Sequence, residues 1–101
     1  MPFIAIGKTC DVKNGTGKPI EIRGTMIALF NVNGMFYAID NTCPHRRGPL
    51  GEGSLDGTVV ECPLHGWTFD IATGAATRLP GVKVRTFPVA IEGDDVLVDV
   101  P

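Results

Sequence analysis

The chain is expected to fold as an all-β protein, an antiparallel β-sandwich or small barrel. Three observations carry that expectation. Short runs of β-branched and aromatic residues recur along the chain, broken at close intervals by turn residues. Thirteen glycines and eight prolines in 101 residues leave little room for long helices. An Asn33-Gly34 pair divides two apolar runs, and Asn-Gly is the strongest short-range hairpin signal.

In chain order, Phe3 to Ile6 and Ile20 to Arg23 read as short strands. Asn14 to Lys18 reads as a surface turn, with glycines that lack the spacing of a phosphate loop. Met26 to Val32 and Met35 to Asp40 form the hairpin about Asn33-Gly34. Thr58 to Glu61, Trp67 to Ile71, Ala75 to Arg78, Val82 to Ile91 and Val96 to Val100 continue the series. Turns fall at Asp56-Gly57, Thr73-Gly74 and Gly93-Asp94-Asp95. No repeat, linker or low-complexity stretch interrupts this, so residues 1–101 are read as one domain.

Composition excludes several function classes. Hydrophobic content of 44% and charged content of 20% support a modest core rather than disorder. The formal net charge is −2, with no basic tract to hold nucleic acid. No apolar run approaches the roughly 20 residues of a membrane helix. No basic region leads into an apolar stretch as in a secretory signal. The expected location is therefore the cytoplasm, and the expected state a monomer. Cys10 stands alone and is expected to be a small buried hydrophobe.

The chemistry is concentrated in two short segments. Cys43-Pro44-His45 and Cys62-Pro63-Leu64-His65 use both histidines and two of the three cysteines. Two thiolates and two imidazoles can close a tetrahedral zinc site. They can equally hold a two-iron cluster, with two Cys on one iron and two His on the other. Zinc knuckles usually pair Cys with Cys or His with His. Here each loop donates one of each, which suits a centre pinched between two loops. Pro44 and Pro63 fix φ beside each cysteine, and Gly48 and Gly66 let the backbone come close to sulfur or adopt positive φ.

Cys43-Pro44-His45-Arg46-Arg47-Gly48 and Cys62-Pro63-Leu64-His65-Gly66-Trp67 resemble the two cluster-binding boxes of Rieske iron–sulfur proteins. Gly51 to Gly57 is similar to that family's linker between boxes. Phe69-Asp70 and Thr73-Gly74 resemble the hairpin that follows them, and Leu79-Pro80-Gly81 resembles its proline loop or is an ordinary turn. The resemblance spans about Phe3 to Val100. It implies the Rieske fold, with a cluster-binding subdomain of about 41–71 on a β base. It implies a [2Fe–2S] cluster with Cys43 and Cys62 on the buried iron and His45 and His65 on the outer one. Two thiolates make the oxidised site neutral, so it accepts an electron more readily than a four-cysteine cluster.

Departures from the family's quinol-oxidising branch are informative. That branch carries an extra cysteine in each box, joined as a disulfide; Gly48 and Leu64 stand at those positions. Its Ser and Tyr hydroxyls bond to cluster and cysteine sulfur; Trp67 and Phe69 replace them. Fewer bonds to sulfur leave the reduced site less stabilised. The chain therefore resembles the low-potential Rieske-type ferredoxins, which implies an electron-transfer protein rather than an enzyme. Its implied partners are a flavin-dependent ferredoxin reductase and a Rieske non-haem iron oxygenase. The alternatives are a small subunit of an assimilatory nitrite-reductase-like enzyme and a zinc-binding structural module. Arg46 and Arg47 are candidate docking charges or solvated surface. Trp67 is expected to pack under the second loop, Leu50 and Leu64 to shield the cluster, and Asp70 to be structural.

Overall fold

The computed structural model describes residues 3–44, 48–64 and 66–99. These residues form antiparallel strands in three sheets, with no α-helix among them. The middle sheet is built on β2 (Thr16–Ile22), β3 (Thr25–Val32) and β4 (Met35–Asp40), continued by β8 (Thr86–Phe87). On one side lie β5 (Ser54–Asp56), β6 (Val59–Glu61) and β7 (Thr68–Asp70). On the other lie β1 (Ile4–Lys8), β9 (Val89–Glu92) and β10 (Asp95–Val98), in the order β1-β10-β9. Two 3-10 turns, Thr9–Asp11 and Leu50–Glu52, complete the chain.

β3 explains the layering. Its residues Ile27 to Asn31 are all buried, so it reads as a continuous apolar run rather than an alternating one. Side chains still alternate in direction. Ala28 and Phe30 join Ile39, Cys43, Leu50, Val60, Cys62, Phe69, Ile71 and Val84 in one core. Ile27 and Leu29 join Val12, Ala38, Phe87, Val96 and Val98 in the other. The middle sheet thus has a core on each face, and both candidate cysteines lie in the first.

Two hairpins set the register of that sheet. Val32 pairs with Met35 across Asn33-Gly34, with φ of 53° and 85° at the two turn residues. The side chains of Asn14 and Asn33 lock the turn: Asn33 N donates to Asn14 Oδ1 at 2.7 Å. The second hairpin pairs Ile22 with Thr25 across Arg23-Gly24, with φ of 52° and 79°. Both are two-residue turns with left-handed central residues, matching the twist of the flanking strands.

Five expectations need correction. Asn14 to Lys18 is not all turn: Thr16 and Gly17 already pair with Asn31 and Phe30 in β2. Pro19 is accommodated because β2 is an edge strand, where a missing N–H leaves no ladder bond unmade. Ala75 to Arg78 forms isolated bridges, Phe69 to Ala76 and Ala75 to Lys83, rather than a strand. Val82 to Ile91 is two short strands, parted at Pro88. Cys10 is exposed, on a 3-10 turn held by Lys8 N donating to Asp11 Oδ2 at 2.9 Å, and Val12 takes the core position instead. The segment read as a linker also holds a strand, β5.

The Arg23 turn makes a stability prediction. A left-handed conformation is costly for most L-residues and less so for Asn. Arg23→Asn is expected to stabilise the fold by about 0.5 kcal/mol. Asn33→Ala, which removes the Asn14 contacts as well, is expected to cost about 1 kcal/mol. Urea midpoints at constant m-value measure both, and an unchanged midpoint for Arg23→Asn would contradict the turn assignment.

Candidate metal centre

Cys43 and Cys62 are almost fully buried, at 0% and 1% exposure. The residues beside them are not: Pro44, Pro63, Leu64 and Gly66 are exposed. Each cysteine therefore marks the point where a chain segment rises from the core to the surface. His45, Arg46, Arg47 and His65 lie outside the described residues.

The two loops close in the same way. Cys43 N donates to Gly48 O at 3.0 Å, and Cys62 N donates to Trp67 O at 2.7 Å. Each cysteine thus bonds to the carbonyl five residues on. The second loop continues directly into the β6–β7 ladder, through Glu61 with Thr68 and Val60 with Phe69. The Thr68 and Thr77 hydroxyls hydrogen-bond beneath it, and Thr77 N donates to Thr68 O at 2.9 Å. The first loop closes through a Thr42–Pro49 bridge and Leu50 N donating to Asn41 O at 2.7 Å.

The loops bring the two thiols together. Cys43 and Cys62 are buried in one core cluster. Burial pushes the Cys62 thiol up, and Cys43 adds to that. The backbone N–H of Leu64 donates to the Cys62 sulfur and pulls the other way. A Cβ on Gly48 would lie 2.5 Å from Cys62 Sγ and 3.3 Å from Leu64 Cβ. Only a glycine lets the first loop come this close to the second cysteine without a shift. Paired buried thiols, a converging backbone and an N–H aimed at sulfur are the donor chemistry of a thiolate-bound iron site, so these residues fit a [2Fe–2S] group.

Surrounding side chains confirm most expectations. Leu50 is fully buried in the same core as both cysteines, and Trp67 packs against that core with its ring 6.5 Å from the Phe69 ring. Asp70 is structural: its Oδ1 accepts from Ala72 N at 2.9 Å. Leu64 stands 44% exposed, beside Gly48 of the first loop. The proline loop is a turn, with Val82 N donating to Leu79 O at 3.1 Å and Gly81 at φ 85°. It also lies against the second box, since Leu79 and Arg78 share a cleft of about 260 Å³ with Gly66, Trp67 and Thr68.

Sequence reasoning passed over Asp40 and Asn41, which lie just ahead of the first box. Asp40 ends β4 and holds Arg85, which donates from its backbone N at 2.9 Å, from Nη2 at 3.0 Å and from Nε at 3.3 Å. The Asp40 carboxylate raises Arg85 above its usual range, and the guanidinium sits 5.3 Å over the Phe87 ring. Asn41 is buried and accepts from Gly51 N at 2.8 Å. The available signal was a polar Asp-Asn pair one residue ahead of the motif.

The model for the Rieske [2Fe-2S] domain matches residues 3–88. A 3-phenylpropionate/cinnamic acid dioxygenase ferredoxin subunit from Shigella boydii is 44% identical over 93 residues, covering 90% of this chain and 87% of that protein. The Sphingomonas yanoikuyae B1 ferredoxin superposes with a TM-score of 0.89 at 37% identity, covering 99% and 100% of the two chains. A chain in the complex of reduced oxygenase and oxidized ferredoxin in carbazole 1,9a-dioxygenase gives 0.86 at 34% identity, with coverage of 95% and 91%. With the loops and thiols placed as above, this chain belongs to the Rieske [2Fe–2S] family and shares the fold of its ferredoxins.

Proposed function

We propose that this protein is a one-electron carrier of the Rieske ferredoxin type that delivers electrons to a terminal oxygenase. The observation that carries the reading is the pair of buried, facing thiols of Cys43 and Cys62, at the mouths of two loops with the same closure. The similar proteins supply the direction of transfer, since one is a dioxygenase ferredoxin subunit and another is found with an oxygenase.

In this reading Cys43 and Cys62 bind one iron, and His45 and His65 bind the other. A [2Fe–2S] cluster held in this way takes up and releases one electron, at about −150 to +300 mV for the family. The chain's own groups do the rest. Phe30, Leu50, Val60 and Phe69 exclude water from the thiol side, because all four are fully buried beside the cysteines. The Leu64 N–H stabilises negative charge on the Cys62 sulfur. Phe69 offers no hydroxyl to either sulfur, which favours the low end of the potential range. Residues 1–101 act as one Rieske unit, with about 41–71 as its cluster subdomain.

Electrons enter from a flavin-dependent ferredoxin reductase, and the protein acts as a cytoplasmic monomer. The exposed thiol of Cys10 fits a reducing compartment. No helix among the described residues is long and apolar enough to cross a membrane.

The ligand set is testable by substitution. Cys43→Ser, Cys62→Ser, His45→Ala and His65→Ala should each lose the two irons and two acid-labile sulfides expected per chain. Cys10→Ala should keep them. Iron and sulfide analysis of freshly purified protein decides it, and loss with Cys10→Ala alone would overturn the assignment.

Delivery is testable by stopped-flow mixing of the reduced protein with a Rieske non-haem iron oxygenase. Electron transfer is expected to be fast and to slow with salt. Reversing Arg46 and Arg47 to Glu should slow it about tenfold or more at low ionic strength, mostly through association. A reversal at Lys13 and Lys18 should change it little. Absence of transfer from the parent would remove the oxygenase reading, and equal rates for both reversals would move docking to another face.

The low potential has its own test. Phe69→Tyr places a hydroxyl in the core that holds both cysteines. One new bond to sulfur should raise the potential by about 60 mV, equivalent to about 1.4 kcal/mol. Redox titration measures it, and an unchanged potential in a variant whose structure shows the bond would refute the explanation.

A further inference from the structure

The two loops close alike at the cysteine but differ one step further from it. Behind Cys62 the backbone ladder runs on, because β6 and β7 continue as paired strands. Behind Cys43 it stops. After the Thr42–Pro49 bridge and the Leu50 N to Asn41 O bond, the returning chain leaves at once into the 3-10 turn Leu50–Glu52. The first N–H groups of such a turn have no partner within it. The Gly51 N–H is buried, and it is satisfied by a side chain: it donates to Asn41 Oδ1 at 2.8 Å.

Asn41 is therefore bonded on three sides. Its N donates to Met26 O at 3.1 Å, at the start of β3. Its O accepts from Leu50 N, and its Oδ1 accepts from Gly51 N. No room is left at Gly51 for another residue. A Cβ there would lie 2.7 Å from Pro19 N, 2.9 Å from Asn41 Oδ1 and 2.9 Å from Lys18 C. The neighbouring Leu50 side chain is fully buried in the core that contains Cys43 and Cys62. Any slippage of the Asn41–Gly51 contact would move Leu50 and the loop it terminates.

We infer that Asn41 is a positioning residue for the iron–sulfur site: its buried side-chain oxygen replaces the missing ladder bond of the first cluster loop and so fixes Cys43 opposite Cys62. Asn41 acts through the loop and touches no ligand group itself. The inference rests on the reading that Cys43 and Cys62 hold the cluster.

The test compares holoprotein variants by three readouts: the rate of cluster loss followed by visible absorbance, the EPR spectrum of the reduced protein, and the melting temperature. Asn41→Ala leaves the Gly51 N–H buried without its acceptor. It is expected to lose cluster about tenfold faster than the parent and to show shifted or broadened g-values. Asn41→Asp keeps an acceptor at the same place and is expected to restore retention. Gly51→Ala, which crowds Asn41 Oδ1, should resemble Asn41→Ala. Asn31→Ala is the structural control. Asn31 is also buried, but it serves the other end of β3: it donates to Val12 O at 2.8 Å and accepts from Gly34 N at 2.9 Å. That variant should lower the melting temperature while keeping the parent's EPR spectrum. Parent-like loss rate and spectrum in Asn41→Ala would overturn the inference. So would failure of Asn41→Asp to restore retention, or an equal spectral change in Asn31→Ala. Cys43→Ser separates the two levels. If it retains the full iron and sulfide content, the ligand reading falls and takes the inference with it. If it loses the cluster while Asn41→Ala behaves as the parent, the inference alone falls.

Discussion

The constraint behind the whole arrangement is that two thiols from loops far apart in sequence must meet inside an apolar core. Burial opposes ionisation of Cys62, yet iron binds thiolate rather than thiol. The buried surroundings of Cys62 thus favour its protonated form. In the proposed reading a metal bound by Cys62 would displace that proton, and its positive charge would supply the compensation. Folding and cluster binding become linked through this pair. Each favours the other only if the loops already hold the sulfurs together.

The β scaffold meets that requirement by unequal means. The second loop is a hairpin loop of the β6–β7 ladder, and its cysteine inherits the rigidity of that ladder. The first loop exits β4, whose end is tied to Arg85 through Asp40. The Arg85 side chain is well exposed, so that ion pair contributes less than about 1 kcal/mol of Coulomb stabilisation. Its value is directional, because the Arg85 backbone N–H and side chain both bond to the same carboxylate. Asn41 then carries the loop where the ladder ends. Double-sided burial of β3 underlies both loops, since Ala28 and Phe30 form the floor beneath the cysteines while Ile27 and Leu29 grip the opposite sheet.

The family and its cofactor type were legible in the sequence because they reside in residue identity and spacing. Cys43, His45, Cys62 and His65 declare a donor set without reference to any contact. The Asn33-Gly34 turn was legible for a similar reason, as the backbone conformation it needs is one that few residues tolerate. What depended on tertiary context was not. Cys10 was read as buried from the habits of its residue type, yet its environment is set by the turn at Asp11. Glycine and proline hid the first half of β2, because whether Pro19 breaks a strand depends on whether that strand lies at an edge. Asn41 escaped because its partner, Gly51, lies beyond the box, and a side chain standing in for a ladder bond has no local pattern.

Position 48 joins these observations. Glycine there lets the first loop pass within what would be 2.5 Å of Cys62 Sγ from a Cβ, and places Leu64 against the same backbone. Positions 48 and 64 hold no cysteines that could tie the loops covalently, the difference from the quinol-oxidising branch noted in the sequence. Here the same two positions are in close contact without a bond between them. A covalent tie limits how far the loops can part whatever their anchors do. Non-covalent contact does not, so the task of holding the loops in register passes to their bases. At the second loop that base is backbone and tolerant of side-chain change. At the first, a short backbone closure is completed by one buried amide side chain, which makes the geometry of the site depend on a residue outside either motif.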